Sequence, residues 1–312
     1  MSTFSLTILG TSAAVPAHGR FCSGQLLHTE RESILIDCGE GIQLQLQKIG
    51  AGHGRIDTIL ISHLHGDHFF GLFGLLTSWM LNRRREPLLI ISPPGLREMI
   101  TPVIQLDKFT PPFPITFQEE APTGLERVYR TRQLDVFAFP LRHRIPTNGY
   151  LVRELERPRS ILPAKIEEYA IPYPAIPAVK AGGDFSLPGG GTVPNGELTT
   201  DPPPSRSYAH CSDTHYFPEI VEFIRDVNLL YHEATFLHED LDRALETDHT
   251  TAHQAGLAAR DARVGQLVIG HYSGRYTDIE ALEAEARRVF PLTSGARELQ
   301  RYTVPFVGRM KD

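Results

Sequence analysis

The chain has 312 residues, of which 41% are hydrophobic and 22% are charged, and this balance excludes a disordered or fibrous protein. The formal net charge of −6 excludes a protein that coats nucleic acid by bulk positive charge. The absence of a long apolar run, of a signal-peptide pattern and of a CxxC pair among the three cysteines predicts a cytoplasmic protein without a membrane segment.

Short apolar strands alternate with helices along the chain, which predicts a layered α/β fold. The predicted strands cover residues 4–9, 25–28, 33–37, 57–62, 87–91, 134–140, 228–232 and 266–270. The predicted helices cover residues 42–49, 68–81, 95–101, 253–262 and 278–289. We expect residues 1–312 to form one domain, with an insertion at residues 157–205.

That insertion differs in amino-acid composition from the rest of the chain. Residues 160–205 contain nine prolines and six glycines, which favours irregular, extended or hairpin structure over a packed core. The same residues carry two lysines, Lys165 and Lys180, against five acidic side chains, so their net charge is 2 − 5 = −3. The sequence therefore predicts a projecting segment with little basic charge.

The strongest local signal is the hexapeptide His63-Leu64-His65-Gly66-Asp67-His68, directly after a predicted strand. Imidazole suits zinc and related transition metals, and a carboxylate can bridge two ions or support water activation. Residues at a strand end and at the following helix start can point in two directions, which suits two adjacent ions better than one. The alternative is a histidine-rich surface turn.

One hexapeptide cannot complete two metal sites, so further ligands are expected at other strand ends. His143, Asp213 and His271 each follow a predicted strand. A single histidine is more often structural than functional, but three such residues in the same kind of position favour a shared site.

Several stretches resemble known families. The hexapeptide resembles the HxHxDH signature of the metallo-β-lactamase superfamily. Residues 4–16 (FSLTILGTSAAVP), 36–41 (IDCGEG), 212–214 (SDT), 232–236 (HEATF), 249–254 (HTTAHQ) and 271–276 (HYSGRY) are similar, in order and spacing, to the ribonuclease Z family of tRNA 3′-processing endonucleases. The resemblance extends over essentially the whole chain.

The resemblance implies an αββα sandwich of two mixed sheets with a di-metal site at a sheet edge. It places His63, His65 and His143 on one ion, Asp67, His68 and His271 on the second, and Asp213 between the two. Both ions would be divalent and most simply zinc, although manganese or iron accept the same ligands.

The resemblance also assigns roles in catalysis and substrate binding. Asp67, His249 and Glu233 would be catalytic, the last two by protonating the leaving 3′-oxygen. Glu233 has the alternative role of a structural carboxylate that orients a ligand. Ser273, Arg275 and Lys180 would contact the substrate, although Arg275 could equally form a salt bridge.

The implied function is removal of the 3′ trailer from precursor tRNA by a homodimer whose insertion grips the tRNA. Two features depart from the family pattern: residues 171–177 contain no Gly-Pro pair, and the insertion is acidic. Two alternatives remain, a small-molecule phosphodiesterase or other hydrolase on the same di-metal scaffold, and a non-catalytic protein that binds RNA or a partner.

Overall fold

The computed structural model describes residues 3–52, 54–104 and 111–306. Its strands are β1 (Phe4–Gly10), β2 (Gly24–Thr29), β3 (Ser33–Cys38), β4 (Ile56–Leu60), β5 (Leu88–Ser92), β6 (Ile115–Glu119), β7 (Glu126–Arg130), β8 (Leu134–Leu141), β9 (Thr147–Glu154), β10 (Ser160–Ile161), β11 (Phe185–Ser186), β12 (Thr192–Val193), β13 (Thr199–Thr200), β14 (Ser207–Cys211), β15 (Leu229–Glu233), β16 (Leu267–Gly270), β17 (Thr293–Gly295) and β18 (Arg301–Thr303).

Its helices are α1 (Ile42–Lys48), α2 (Gly66–Phe69), α3 (Gly71–Leu81), α4 (Leu96–Ile104), α5 (Pro163–Glu168), α6 (Ile176–Lys180), α7 (Asn195–Leu198), α8 (Ile220–Ile224), α9 (Leu241–Thr247), α10 (Ala252–Asp261) and α11 (Glu280–Val289), with 3-10 turns at Tyr173–Ala175 and His238–Asp240. The single helix predicted over residues 68–81 is thus two helices, separated at Phe70. None of the helices in the described part of the chain is long and apolar enough to cross a membrane.

The first large sheet has seven strands in the order β18-β1-β2-β3-β4-β5-β6. Strands β1 to β3 are antiparallel, whereas β3 to β6 run parallel, with helices in the connections between them. One face of the sheet packs against α1, α3 and α4 through an apolar core that includes Leu35, Ile59, Leu76, Ile90 and Ile100. Residues 88–91 of β5, near the middle of the parallel part, are continuously apolar, as expected for a strand covered on both faces.

The second large sheet also has seven strands, in the order β17-β16-β15-β14-β9-β8-β7. Strands β14 to β17 are parallel, and β9 pairs antiparallel with β14. Helices α8, α10 and α11 cover one face through a core that includes Leu151, Ala209, Ile220, Ala255 and Ile269.

The two sheets pack face to face, with their helices on the outer faces. Tyr150 of β9 donates a hydrogen bond to the carbonyl of Ile61, 2.7 Å away, just beyond β4. Tyr208 of β14 donates to the side chain of Gln25 on β2. This arrangement confirms the mixed α/β class and the αββα sandwich expected from the sequence.

Residues 154–205 belong to a separate compact unit. Strand β10 pairs with β13, β11 pairs with β12, and three short helices lie between them. The unit has its own apolar core, formed by Ile171, Val179, Phe185, Val193 and Leu198. A hairpin, one of the forms that the sequence favoured here, is present, but the expectation that this segment lacks a packed core was wrong. Several prolines lie at helix starts, where a fixed φ and a missing N–H cost nothing.

Candidate active site and metal centre

The fold brings the ends of four strands to one place. Strand β4 leads into the loop that carries His63 and His65, and α2 follows with Asp67 and His68. In the second sheet, His143, Asp213 and His271 lie just beyond β8, β14 and β16. All seven residues predicted as metal ligands therefore meet between the two sheets.

The first group of ligand atoms belongs to His63, His65, His143 and Asp213. His65 Nδ1 lies 3.1 Å from His63 Nε2 and 3.3 Å from His143 Nε2. Asp213 Oδ2 lies 3.6 Å from His63 Nε2 and 3.9 Å from His143 Nε2. Four donor atoms thus face a common centre.

The second group belongs to Asp67, His68, His271 and again Asp213. His68 Nε2 lies 3.3 Å from His271 Nε2 and 3.5 Å from Asp67 Oδ2. Asp213 Oδ1 lies 3.3 Å from His68 Nε2 and 3.2 Å from His271 Nε2. Asp213 therefore presents one carboxylate oxygen to each group.

These spacings fit a transition metal in each group. Metal–nitrogen bonds of about 2.0–2.1 Å place the ligand atoms of a tetrahedral site about 3.3 Å apart. The nitrogen–nitrogen distances here are 3.1 to 3.3 Å. The donor set of imidazoles and carboxylates suits a divalent ion of this kind.

The second ring nitrogen of four histidines is held by a neighbour, which leaves the other nitrogen free for a metal. His68 Nδ1 donates to Asp37 Oδ2 at 2.8 Å, and His143 Nδ1 donates to the backbone carbonyl of Asp248 at 3.0 Å. His63 Nδ1 is hydrogen-bonded to the Ser62 hydroxyl, and His271 Nδ1 to the Thr235 hydroxyl, each at 3.0 Å.

Opposite charges dominate the electrostatics of this region. Burial raises the pKa of the Asp67 and Asp37 carboxyls, but nearby imidazoles, chiefly His68, outweigh it and hold both pKa values below the usual range. Burial lowers the pKa of His68, but Asp213, Asp67 and Asp37 together raise it above its usual value. The three carboxylates around His68 therefore favour positive charge at this position.

His249 and Glu233 form a pair beside the two groups. His249 Nδ1 donates to Glu233 Oε1 at 2.8 Å. Burial lowers the pKa of His249, but the Glu233 carboxylate more than offsets this and raises it to about 9. Glu233 is fully buried and also accepts hydrogen bonds from the backbone N–H groups of Thr214 and Thr235. The buried carboxylate thus fixes a positively charged imidazole in place.

The sequence is similar over most of its length to proteins of one family. It is 43% identical over 304 residues to ribonuclease Z of Bacteroides thetaiotaomicron, covering 97% of this chain and 96% of the relative. Ribonuclease Z of Porphyromonas gingivalis is 40% identical and is covered over 99% of its length. The chain belongs to the ribonuclease Z family. A family model described as anti-Pycsar protein Apyc1 also matches residues 4–102 of this ribonuclease Z family member.

Solved structures show the same architecture. The short form of human tRNase Z has a TM-score of 0.70 and 28% identity, with coverage of 96% of this ribonuclease Z family member and 99% of the human chain. The metallo-β-lactamase fold protein YhfI from Bacillus subtilis has a TM-score of 0.68 at 16% identity, with coverage of 97% and 100%. The fold of this ribonuclease Z family member is therefore the metallo-β-lactamase fold.

The two groups of candidate metal ligands open into a cavity of about 550 Å³. Its lining includes His65, Asp67 and Asp213 from the two groups, together with His249. Val15, Pro16 and Phe70 form an apolar part of its wall, and Arg144 also lines it. A substrate can thus reach both the metal groups and the charged imidazole.

The residues predicted to bind substrate lie outside this cavity lining. Arg275 donates to Asp240 Oδ1 at 2.7 Å, which is the salt bridge that the sequence left open. The Ser273 hydroxyl accepts a hydrogen bond from the backbone N–H of Arg275. Lys180 ends α6 in the separate unit of residues 154–205.

The sequence did not reveal the residues that hold the candidate metal ligands in place through hydrogen bonds. Asp37, the last residue but one of strand β3, is a buried carboxylate with a positive φ of 56°. Its place in the IDCGEG stretch was the one available signal. Thr235 lies in HEATF, but nothing in the sequence links its hydroxyl to His271. The Asp248 contact uses a backbone carbonyl, which no residue type reveals.

Proposed function

We propose that the protein is a metal-dependent endoribonuclease that removes 3′ trailers from precursor tRNA. Cleavage leaves a 3′-hydroxyl on the tRNA and a 5′-phosphate on the trailer. The observation that carries the proposal is the joining of two metal-ligand groups through Asp213 beside a proton-donating His249, in a chain of the ribonuclease Z family.

We assign two zinc ions to the site, since seven side chains exceed the four ligands of one tetrahedral zinc. His63, His65 and His143 would hold one ion, Asp67, His68 and His271 would hold the other, and Asp213 would bridge them. When bound, these ions would supply a water nucleophile at neutral pH and offset negative charge on the phosphate oxygens.

The chain's own side chains handle the protons. We assign to Asp67, whose Oδ2 lies 3.4 Å from His271 Nε2, the role of accepting the proton of the attacking water. His249 gives its proton to the departing 3′-oxygen, because an alkoxide is a poor leaving group. Glu233 holds His249 charged and oriented through the 2.8 Å contact. Its role combines the catalytic and the structural alternatives.

Substrate binding beyond the cavity is assigned to residues 157–205, acting as an arm for the tRNA. The compact unit with its own apolar core supports this assignment, because a rigid element can present contacts at a fixed spacing. Lys180 supplies one cation for a phosphate, and Ser273 and Arg275 take the same role near the site only if the Arg275–Asp240 ion pair opens.

The working form is proposed to be a cytoplasmic homodimer. Helices α3 and α4 expose the large apolar side chains Leu81, Met99 and Val103. Exposed apolar groups on adjacent helices are typical of a surface that another protein covers. A second copy of the chain is the partner that the family resemblance favours.

The direct test is incubation of purified protein with a 3′-extended tRNA transcript and mapping of the cut. We expect one cut at the junction of tRNA and trailer, loss of cleavage after chelation, and recovery on adding zinc or manganese. Elemental analysis should give two ions per chain. A protein with its full metal content that leaves this transcript intact would contradict the function, and cleavage of small phosphodiesters alone would favour the alternative hydrolase.

A further inference from the structure

The mouth of the metal cavity has two large apolar side chains that face solvent. Phe70 is 57% exposed and Val15 is 60% exposed, and both line the same cavity as Asp67 and His249. Apolar side chains scattered over a surface need no explanation, but two beside a cluster of charged metal ligands are unusual. Their position suggests that a flat apolar group covers them during binding.

The Phe70 ring packs against the metal-ligand loop. Its ring lies on the backbone of Gly66 in the metal-ligand loop, and a Cβ at residue 66 would lie only 2.3 Å from ring atom Cε2. The ring also meets Phe69 in an edge-to-face contact at 4.9 Å between centroids. A side chain at position 66 would displace the ring, so the exposed ring packs directly on the metal-ligand loop.

Val15 is held equally firmly. The Ser12 hydroxyl donates to the Val15 carbonyl at 2.7 Å, and the Val15 N–H donates to the Ala13 carbonyl at 2.7 Å. Ala14, with a positive φ of 63°, donates its N–H to Asp67 Oδ2 at 2.7 Å. The turn that exposes Val15 is therefore tied directly to a proposed metal ligand.

We propose that Phe70, with Val15 and Pro16 beside it, forms a platform on which a base next to the scissile phosphate stacks. This proposal rests on the proposed function and names how that site takes its substrate. Every base has a flat apolar face, so aromatic stacking holds a nucleotide without selecting its sequence. Such a platform suits an enzyme whose substrates share a tRNA end but differ in the trailer.

The platform also explains how a chain of net charge −6 holds RNA at the site. Among the described residues that line the cavity, Arg144 is the only lysine or arginine, so few basic side chains beyond His249 and the proposed metal ions are available to attract phosphates. Stacking adds binding without adding charge. Because Phe70 packs on the metal-ligand loop and the turn of Val15 is hydrogen-bonded to Asp67, a base stacked on them would bring its own phosphate close to the two groups of candidate metal ligands.

The test uses a double-mutant cycle between enzyme and substrate. The substrates are a 3′-extended tRNA transcript and two versions with one abasic nucleotide, immediately before or immediately after the cut. We expect wild-type protein to cleave one abasic version with a kcat/KM about 10-fold lower. Phe70→Ala should lose about as much on the intact transcript and nothing further on that abasic version, whereas Phe70→Tyr should retain wild-type cleavage.

Leu292→Ala is the matched control, since Leu292 is 63% exposed and lies outside the cavity lining. It should cleave all three transcripts like wild type. Metal content, melting temperature and oligomeric state of Phe70→Ala should stay unchanged. A change in oligomeric state that alone explains the loss would make Phe70 an interface residue and overturn the platform.

The wild-type measurement decides the proposal even if Phe70→Ala fails to fold. Equal cleavage of the intact and both abasic transcripts would overturn the platform while leaving the proposed function in place. Failure of wild-type protein to cut the intact transcript would instead overturn the proposed function, and the platform with it.

Discussion

An imidazole binds a metal only through a nitrogen that carries no proton, and neighbouring groups decide which nitrogen that is. For His68 the deciding group is Asp37, which accepts the Nδ1 proton and also accepts from the Ser62 N–H at 2.7 Å. Asp37 is buried and is not among the described residues that line the cavity. Its effect on the site must therefore pass through His68.

We expect Asp37→Asn to lower metal affinity about 10- to 100-fold, as other changes to groups behind a ligand do. Asparagine tolerates the positive φ at this position, so the backbone should be retained. Competition with a chelator of known affinity measures the effect. Asp57→Asn, on the exposed side of β4, is the control. Unchanged affinity would show that Asp37 has no part in orienting His68.

Asp67→Ala should lower turnover by about 100-fold or more, because the side chain is both a proposed ligand and a proposed proton acceptor. The protein should still fold, since Asp67 lies at the cavity and not in an apolar core. Steady-state cleavage of the tRNA transcript and circular dichroism measure the two effects. Turnover above about a tenth of wild type would contradict both roles.

The His249–Glu233 pair predicts a dependence on the leaving group. His249→Ala should slow tRNA cleavage by about 100-fold, but should slow hydrolysis of a p-nitrophenyl phosphodiester far less, because that leaving group departs without a proton. Glu233→Gln should show the same selectivity, and the double variant should be no worse than His249→Ala. Equal losses on both substrates would mean that the pair supports the metal ligands instead.

At the residue scale, the sequence predicted the candidate ligands better than the residues that support them. A candidate ligand has a characteristic residue type at a strand end, which is how His143, Asp213 and His271 were predicted. Arg275 could not be assigned, because its partner Asp240 is 35 residues away and neither residue marks the pair. Contacts through backbone atoms, such as that of Asp248, have no residue type to detect.

At the scale of elements, eight of the fourteen strands of the two large sheets were predicted, because they are short apolar runs between turn residues. Strand β9 is among those missed; it begins with Thr147-Asn148-Gly149, residue types that are common in turns. In the structure, position 149 of the strand takes a glycine because the Phe139 ring fills the space of a side chain. A Cβ there would lie 2.2 Å from the ring. Such a contact between distant residues is invisible to local sequence patterns.

For residues 154–205 the error is the opposite one, because the proline- and glycine-rich composition was taken to disfavour a packed core. Pro163 begins α5 and Pro177 lies in the first turn of α6, so these prolines start helices instead of preventing them. The small apolar core then joins the helices. Removing only part of this unit would expose that core and confuse the result of any deletion.

The pairing of β10 with β13 allows a cleaner deletion. Ile161 and Thr199 are cross-strand partners, so a short Gly-Ser turn can replace residues 162–198. We expect a higher KM for precursor tRNA and a flatter salt dependence, with unchanged hydrolysis of a small chromogenic phosphodiester. Kinetics on both substrates measure this.

The point variant Lys180→Ala should show a milder form of the same effect. Lys165→Ala is its control, since the Lys165 ammonium already pairs with Glu168 at 2.7 Å. Losses of equal size on tRNA and on the small substrate would make the unit structural. No loss on tRNA would place binding elsewhere.

At the scale of the whole molecule, the exposed apolar side chains of α3 and α4 predict the oligomeric state. Met99→Glu should convert a dimer to a monomer, because a charge buried in an apolar interface is costly. Light scattering after gel filtration measures the mass, and Leu292→Glu, on a different exposed site, should leave it unchanged. A wild-type monomer, or a dimer that survives Met99→Glu, would contradict this interface.

The position of the metal groups between the sheets has a thermodynamic consequence. His63, His65, Asp67 and His68 follow a strand of the first sheet, whereas His143, Asp213 and His271 follow strands of the second. Bound ions would therefore cross-link the two halves of the sandwich. An ion present at 100 times its dissociation constant adds about 2.7 kcal/mol to the free energy of unfolding. Folding stability and catalysis are then linked through the same seven side chains, so cellular metal supply would set how long the folded chain persists as well as how fast it works.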